Sequence, residues 1–354
     1  MNARLRSGCL ALALLLAGPR PAARAWGAWA HEHINRGAVL SLPEPLRTFF
    51  YNHADFMTEE SVMPDVRKNL LNDKAEFPRH SIFLESYGPD ALRSLPRTWT
   101  EAQQRFSPET LAKNGTLPWT IEDLTDKLTE AFRRRDKGMI LFLAASLGHY
   151  IGDAQVPLHT TSNNNGQFTG QMDIHPLFEG QLVEMFGPGY DLNAGPAPYF
   201  ADLTGTTWRM IAATHAAALT LLQTDLELRH ATPEAEIYLR DAAGRLVRNR
   251  FLLLYFTRSY AERLHQRLGG MEERCLRSAI LATAGYWNTA WVNAGRPDLS
   301  RLDPAATTER NRPSLVEEGR LWAHGRMFAL EPPAEFDQAL LGPAPTGPGA
   351  GPRP

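Results

Sequence analysis

Apolar residues recur at three- and four-residue spacing along most of the chain, and no convincing alternation of apolar and polar residues appears. This spacing places apolar side chains on one face of a helix, so it predicts an all-α fold. The predicted helices cover residues 30–40, 60–72, 121–134, 137–154, 174–186, 202–226, 234–267 and 271–293.

The segments between these helices predict loops and a C-terminal extension. Residues 84–119 are rich in Pro, Ser and Thr and predict a long connection, and residues 160–173 predict a polar loop. After about residue 300 the periodicity fades, and residues 342–354 contain five Pro and four Gly. We therefore predict a single helical domain over residues 26–300 and an extension over residues 301–354 that is disordered from residue 342.

The first 25 residues have the pattern of a secretory signal peptide. Arg4 and Arg6 precede a short apolar run, and the segment ends in Ala23-Arg24-Ala25. The run is shorter than the roughly 20 residues that span a bilayer, and no later segment is long and uncharged enough. We predict cleavage after Ala25, a mature chain that begins at Trp26, and a secreted or periplasmic protein without a transmembrane segment.

Composition and charge exclude several classes of protein. The chain is 43% hydrophobic and 21% charged, which excludes a fibrous or wholly disordered protein. Loss of residues 1–25 removes four arginines and no acid, which leaves 33 basic and 39 acidic residues and changes the formal charge from -2 to −6. A chain of this charge has no overall attraction to nucleic acid or anionic membranes. Cys275 alone remains, so we predict no intrachain disulfide.

The strongest local motif is LGHYIGDAQVPLH, in which His149 and Asp153 stand four residues apart and His159 follows. His175 and Glu179 repeat the spacing. Residues four apart share one face of a helix, so each pair can converge on one metal ion. One such pair is usually a solvent-exposed helix pair. Two pairs within 31 residues, joined by His159, favour a metal site.

Upstream candidates are His31, Asp65 and His80. Taken singly, they are typical of an exposed histidine in a first turn, a helix cap and a partly buried loop histidine. A processed Trp26 would add an α-amine, with an unperturbed pKa of about 7.7–8.0, and its carbonyl oxygen as a chelating pair. These groups could hold a further zinc ion.

In this ordered set the chain resembles the superfamily of zinc-dependent phospholipases C and single-strand-specific nucleases. Members begin at a processed Trp and bind three zinc ions within a helical fold. The resemblance covers roughly residues 26–300 and fills every expected ligand position: Trp26, His31, Asp65, His80, His149, Asp153, His159, His175 and Glu179.

The resemblance implies how these ligands are divided among three zinc ions. One ion would take Asp65, His80, His149 and Asp153, and a second would take His159, His175 and Glu179. The third would take Trp26, His31 and Asp153, so that Asp153 bridges two ions.

The implied activity is hydrolysis of phosphodiesters by a hydroxide held between two zinc ions. Asp65 is also the candidate to orient the attacking water or accept its proton. Lys68 follows Asp65 by one helical turn and could reach a phosphate oxygen, although a solvated surface lysine explains it equally well. Asn165 is a candidate substrate ligand in a run of Asn that is also typical of turns.

Three features favour a phospholipase C-like enzyme that releases phosphorylated headgroups. Glu179 stands where the nucleases typically carry Asp, the loop after His159 lacks their paired-glycine-then-Asn motif, and the disulfides of the secreted fungal and plant nucleases are missing. Phe83 and Phe178 could contact an acyl chain or a base, but we expect both in the core. The alternatives are a nuclease or nucleotidase that acts on single-stranded nucleic acid and a non-catalytic zinc-binding protein.

Overall fold

The computed structural model describes residues 28–249, 252–328 and 330, and its regular structure is almost wholly helical, which confirms the all-α prediction. The helices of seven or more residues in this part of the chain are α1 (Ala28–Ser41), α2 (Met63–Asn69), α3 (Trp99–Arg105), α4 (Pro108–Asn114), α5 (Leu117–Arg134), α6 (Lys137–Ala154), α7 (Leu203–His230), α8 (Arg258–Leu268), α9 (Met271–Asn293) and α10 (Arg312–Trp322). Shorter helical segments are Leu46–Tyr51, Ala54–Glu59, Glu60–Val62, Phe77–His80, Leu84–Tyr87, Ala91–Ser94, Pro157–Thr160, Ile174–Pro176, Leu177–Leu182, Val183–Phe186, Gly187–Gly189 and Glu234–Ile237.

Helix α6 is the centre of the fold and packs against α1, α5 and α9. Nearly all of its residues from Ile140 onward are buried, as expected of a helix that is apolar on every face. The indole N–H of Trp287 in α9 donates to the carbonyl oxygen of Ala144 at 2.9 Å, and the same ring stacks on Phe50. The C-terminal end of α6, which carries His149 and Asp153, therefore belongs to a helix that is packed on several sides.

Two glycines let α1 approach α6 closely. A Cβ atom at Gly148 would overlap the side chain of Asn35, and one at Gly152 would lie 3.1 Å from Nδ1 of His31. At this short separation of the helices, Asn35 Nδ2 donates to the carbonyl oxygen of Ala145 at 3.1 Å. As a result the ring of His31 stacks on that of His149, with centroids 3.8 Å apart.

The predicted connection over residues 84–119 is wrong, because this segment contains Leu84–Tyr87, Ala91–Ser94, α3, α4 and the first turn of α5. Helices of one or two turns are too short to show a clear period. Their local signals are caps: Thr98 and Glu101 form a capping box at α3, and Ser107 caps α4 ahead of Pro108.

The predicted helix over residues 234–267 is also wrong, since helix is confined there to Glu234–Ile237 and α8, and residues 238–249 and 252–256 are not helical. The Asp241 carboxylate accepts from the backbone N–H groups of Ala243 and Arg245 at 2.9 Å, and Gly244 has φ +77°. This turn chemistry competes with helix formation. Isolated β-bridges join Tyr238 to Phe256, Arg240 to Leu246 and Arg248 to Leu254.

Residues beyond 300 contribute to the helical core. Trp322 of α10 is buried, and Glu318 is completely buried between α10 and α1. The Arg36 guanidinium donates to both Glu318 oxygens, with Nε–Oε1 and Nη2–Oε2 distances of 2.9 and 2.7 Å. The Tyr51 hydroxyl donates to Glu318 Oε2 at 2.8 Å. These contacts attach α10 to the bundle.

Some sequence predictions concern residues that the structure does not describe. The predicted signal peptide over residues 1–25, Trp26 and the predicted disordered tail from residue 342 lie outside the described residues. Among the helices that are described, none combines the length and apolar character needed to cross a membrane.

The Glu318 contacts predict a large stability effect. Glu318→Ala should lower the free energy of unfolding by about 3–5 kcal/mol, because it leaves Arg36 buried without its main partner. Urea unfolding followed by circular dichroism measures the change. Glu317→Ala, on the exposed face of the same helix, should cost less than about 1 kcal/mol. Equal effects from both substitutions would contradict this account of α10.

Candidate metal centre

The side chain of Asp153, at the end of α6, lies at the middle of a buried histidine cluster. Its Oδ2 atom lies 2.9 Å from His80 Nδ1 and 3.3 Å from His149 Nε2. Its Oδ1 atom lies 3.6 Å from His31 Nε2 and 3.7 Å from His159 Nδ1. The two oxygens thus face different histidines, and a carboxylate so placed can bridge two cations.

The ligand atoms of the cluster fall into groups that could each hold a metal ion, with all atoms of a group within 4.8 Å of one another. Each of the eight predicted ligands that the structure describes belongs to at least one group, and His149 belongs to two. Trp26 is the one predicted ligand outside the described residues. The groups are His31 with His149 and Asp153, Asp65 with His80 and His149, and His159 with His175 and Glu179.

Backbone carbonyls orient two of the imidazole rings. Nδ1 of His149 donates to the carbonyl oxygen of Ser61 at 2.8 Å, and Nδ1 of His159 donates to that of His80. A carbonyl only accepts, so Nδ1 of each ring carries a proton and Nε2 faces the cluster, where it can bind a metal ion once it is deprotonated. This is the arrangement in which a neutral histidine binds a metal ion.

The third group lies on the segment over residues 174–182. Nε2 of His175 and Nε2 of His159 lie 2.7 and 3.3 Å from the same Glu179 oxygen, Oε2. The predicted helix over residues 174–186 is present as consecutive short helical segments, and Leu177–Leu182 has π-helical hydrogen bonding. Single π-turns occur often at functional sites because they redirect side chains.

The carboxylates of the cluster are ionised despite their burial. Burial by itself opposes ionisation of Asp153, but His159 and His149 outweigh it and hold its pKa well below the ordinary value. Burial likewise opposes ionisation of Asp65, and there Lys68 supplies the largest opposing effect and lowers the pKa. Glu179 has a lowered pKa, because His175 and His159 outweigh its burial. Three buried negative charges therefore lie close together.

Groups that carry or can take up a positive charge lie beside these carboxylates. The Lys68 ammonium lies 2.7 Å from Asp65 Oδ1. Burial favours the neutral form of His159, but Asp153 and Glu179 raise its pKa to about 9. A metal ion and a proton compete for the same imidazole nitrogen, so carboxylates that hold a proton on His159 also attract a cation.

The cluster opens into a cavity of about 340 Å³. Lys68 and Asn164 line this cavity together with the ligands Asp65, His80, His159, His175 and Glu179. Phe77 and Phe83 also line the cavity. The prediction that Phe83 is a core residue is therefore wrong, whereas Phe178 is buried as predicted.

Asn165 is not among the residues that line this cavity. Its Nδ2 atom donates to Asp173 Oδ1 at 3.1 Å within the loop before His175. Asn164 is the asparagine of the run that lines the cavity. Contact of Asn165 with a substrate stays a prediction.

Glu76 is a functional candidate that the sequence reasoning missed. Its Oε1 lies 3.6 Å from His80 Nε2, on the side of the ring opposite the cluster, and accepts from the Tyr150 hydroxyl. Burial opposes its ionisation, but the nearby His80 ring, the hydrogen bond from Tyr150 and the charge of Arg79 lower its pKa to about 2. Glu76 stands four residues before His80, the same spacing as the two motif pairs, and that spacing was the available signal.

The ligand types fit a catalytic metal site. The groups offer imidazole nitrogens and carboxylate oxygens and no thiolate, which suits zinc in sites that leave a coordination position open. Cys275, the free cysteine of the described chain, does not belong to any of them. The cluster could therefore hold metal ions.

No protein-family model and no curated protein matches the chain.

We predict that Glu76 is a positioning residue for His80. Glu76→Gln should weaken zinc binding about 10- to 100-fold, because a neutral amide 3.6 Å from Nε2 of His80 attracts the proton on that nitrogen less than a carboxylate does. Competition with a chromophoric chelator measures the affinity. Glu130→Gln on the exposed face of α5 is the control and should leave it unchanged. Equal zinc affinity in the Glu76 variant and the wild type would show that Glu76 is only structural.

Proposed function

We propose that this protein is a secreted zinc-dependent phosphodiesterase, most similar in its chemistry to a phospholipase C. The observation that supports this best is the grouping of eight imidazole and carboxylate ligands in one cluster, five of which line a cavity that Lys68 also lines. A cluster that only stabilised the fold would have no need of an opening to solvent or of a lysine beside it. The predicted signal peptide supports secretion.

The proposed division adds Asp153 to the group of Asp65, His80 and His149 and assigns His149 to that group alone. Asp65, His80, His149 and Asp153 would hold one zinc ion, and His159, His175 and Glu179 a second. His31 and Asp153 would hold a third together with Trp26. When bound, these ions supply the positive charge that neutralises a phosphodiester and makes a water molecule acidic enough to attack it.

The chain's own residues have separate tasks in this reaction. Lys68 Nζ binds a phosphate oxygen and orients the diester in the cavity. The ionised Asp65 carboxylate orients the attacking water and accepts its proton. The water oxygen forms a bond to phosphorus while the bond from phosphorus to the leaving oxygen breaks, and that oxygen takes up a proton from solvent. The products are an alcohol and a phosphomonoester.

Apolar side chains beside the ligands support a lipid-like substrate. The Phe77 side chain is 46% exposed, and both Phe77 and Phe83 line the metal cavity. An apolar group next to the scissile phosphate can pack on these rings, and a formal charge of −6 in the predicted mature chain gives no general attraction to a polynucleotide. The same rings could stack a base, so a single-strand nuclease is the competing function.

Loss of a central ligand should abolish turnover. His149→Ala and Asp153→Ala should each reduce hydrolysis of a chromogenic phosphodiester by the zinc-loaded protein at least about 100-fold, because His149 belongs to two ligand groups and Asp153 lies beside histidines of all three. His324→Ala, on an exposed histidine outside the cluster, is the matched control and should keep full activity. Full activity in both ligand variants would overturn the proposal.

The same preparation distinguishes the two substrate classes. The zinc-loaded chain should release headgroups from short-chain phosphatidylcholine faster than it degrades denatured DNA. Loss of both activities in Asp153→Ala is the control that assigns them to this site. Degradation of DNA without release of any headgroup would favour the nuclease. A zinc-loaded chain that turns over neither substrate nor any of a broad panel of phosphoesters would favour a non-catalytic zinc protein.

A further inference from the structure

We propose that a second cavity, next to the metal cavity, binds a hydrocarbon chain of the substrate. This cavity has a volume of about 640 Å³, within the range of roughly 300–1,000 Å³ usual for ligand sites. Pro78 and Ala112 line both cavities, so the two adjoin on either side of α4. The inference rests on the proposed function, since it names the part of the substrate that lies beyond the phosphate.

Much of the cavity wall is apolar and aromatic. The rings of Trp99 and Trp119 lie 6.0 Å apart between centroids, and Trp99 is 37% exposed at the surface. A partly exposed indole beside a buried one gives a ligand an apolar surface that it can reach from solvent. The larger apolar lining residues are Pro78, Trp99, Phe106, Pro108, Leu111 and Trp119.

Most polar groups on the wall already have partners within the protein. The indole N–H of Trp119 and the hydroxyl groups of Thr116 and Thr120 donate to backbone carbonyls at 3.1 Å. Lys127 Nζ lies 2.6 Å from Asp123 Oδ2. A nucleobase would bring polar edges into this site and find few free partners, whereas a hydrocarbon needs none. The chemistry therefore favours an alkyl or acyl chain.

The remaining charged group on the wall is also engaged. The Arg79 guanidinium lies over the Tyr150 ring at 4.8 Å, with Nη1 3.5 Å from Glu76 Oε2. His80 follows Arg79 directly and lines the metal cavity. A substrate whose phosphate lies beside His80 and Lys68 could thus extend its chain past Pro78 into the aromatic cavity.

A series of p-nitrophenyl alkyl phosphodiesters, from methyl to octyl and used below their micelle concentrations, tests the proposal. For the zinc-loaded wild type, kcat/KM should rise about two- to fourfold per methylene between butyl and octyl. Fourfold corresponds to about 0.8 kcal/mol per buried methylene. Rates are expressed relative to the methyl diester for each variant, which removes any common effect on the metal site.

Helix α3 offers a matched pair of variants. Gln103 lines the cavity and is exposed, so Gln103→Glu adds a charge to the apolar wall without a change in the core. Gln104, the next residue, is also exposed and does not belong to the lining. Gln103→Glu should bring the factor per methylene close to one, and Gln104→Glu should keep the wild-type factor. Trp99→Ala is a second variant that should reduce it.

The outcomes separate this proposal from the proposed function. A wild type without dependence on chain length, or an equal dependence in both glutamine variants, would overturn the cavity assignment and leave the phosphodiesterase intact. If the zinc-loaded protein hydrolyses no diester, the proposed function fails, and quenching of tryptophan fluorescence by bromooctyl phosphate still tests the cavity.

Quenching by bromooctyl phosphate that exceeds quenching by bromoethyl phosphate, and that falls in Gln103→Glu but not in Gln104→Glu, would support a hydrocarbon site. Equal quenching by the two phosphates would contradict it. Binding of an oligonucleotide by the wild type that is lost in Trp99→Ala, together with no dependence on alkyl chain length, would instead assign the cavity to a nucleobase.

Discussion

The charge of three neighbouring buried carboxylates is the constraint on which the rest of the structure depends. Asp65, Asp153 and Glu179 are each less than a tenth exposed, and the Lys68 ammonium lies 2.7 Å from Asp65 Oδ1. Ionised carboxylates withdrawn from water are costly unless cations compensate them. The surrounding imidazoles can do so as protonated groups or as ligands of metal ions, and the Nε2 atoms of His149 and His159, which face the cluster, can bind metal ions once they are deprotonated.

The helical bundle brings these groups together. α6 provides His149 and Asp153 from its buried end, and the absence of side chains at Gly148 and Gly152 lets α1 place His31 against them. α2 provides Asp65 and Lys68 on one turn. Glu76 then supports His80 from outside the cluster. Helices α1, α2 and α6 thus carry four of the candidate ligands, and short helical segments between the longer helices carry His80, His159, His175 and Glu179.

The sequence predicted the features that local spacing controls. α6 has the predicted bounds, and both pairs at four-residue spacing are close in space. The short helices between residues 84 and 119 were missed because their signals are caps rather than a period, and the turn at Asp241 was hidden within an apparently helical pattern. The aromatic cavity could not be predicted, since its walls come from those missed helices.

Convergence of distant residues is the part that spacing alone could not establish. His31, Asp65 and His80 belong to different helical segments, and nothing in their local sequence places them beside Asp153. Their tertiary placement now gives the metal hypothesis a geometric basis for eight of the nine candidate ligands. The ninth, Trp26, depends on processing of the chain.

The most direct test of the account is the metal content of the purified chain that begins at Trp26, measured by inductively coupled plasma mass spectrometry after dialysis against metal-free buffer. We predict about three zinc ions per chain, and fewer in Asp153→Ala, because the Asp153 carboxylate lies beside histidines of all three ligand groups. A chain that retains no zinc after loading, and whose thermal stability does not respond to zinc or to a chelator, would contradict it.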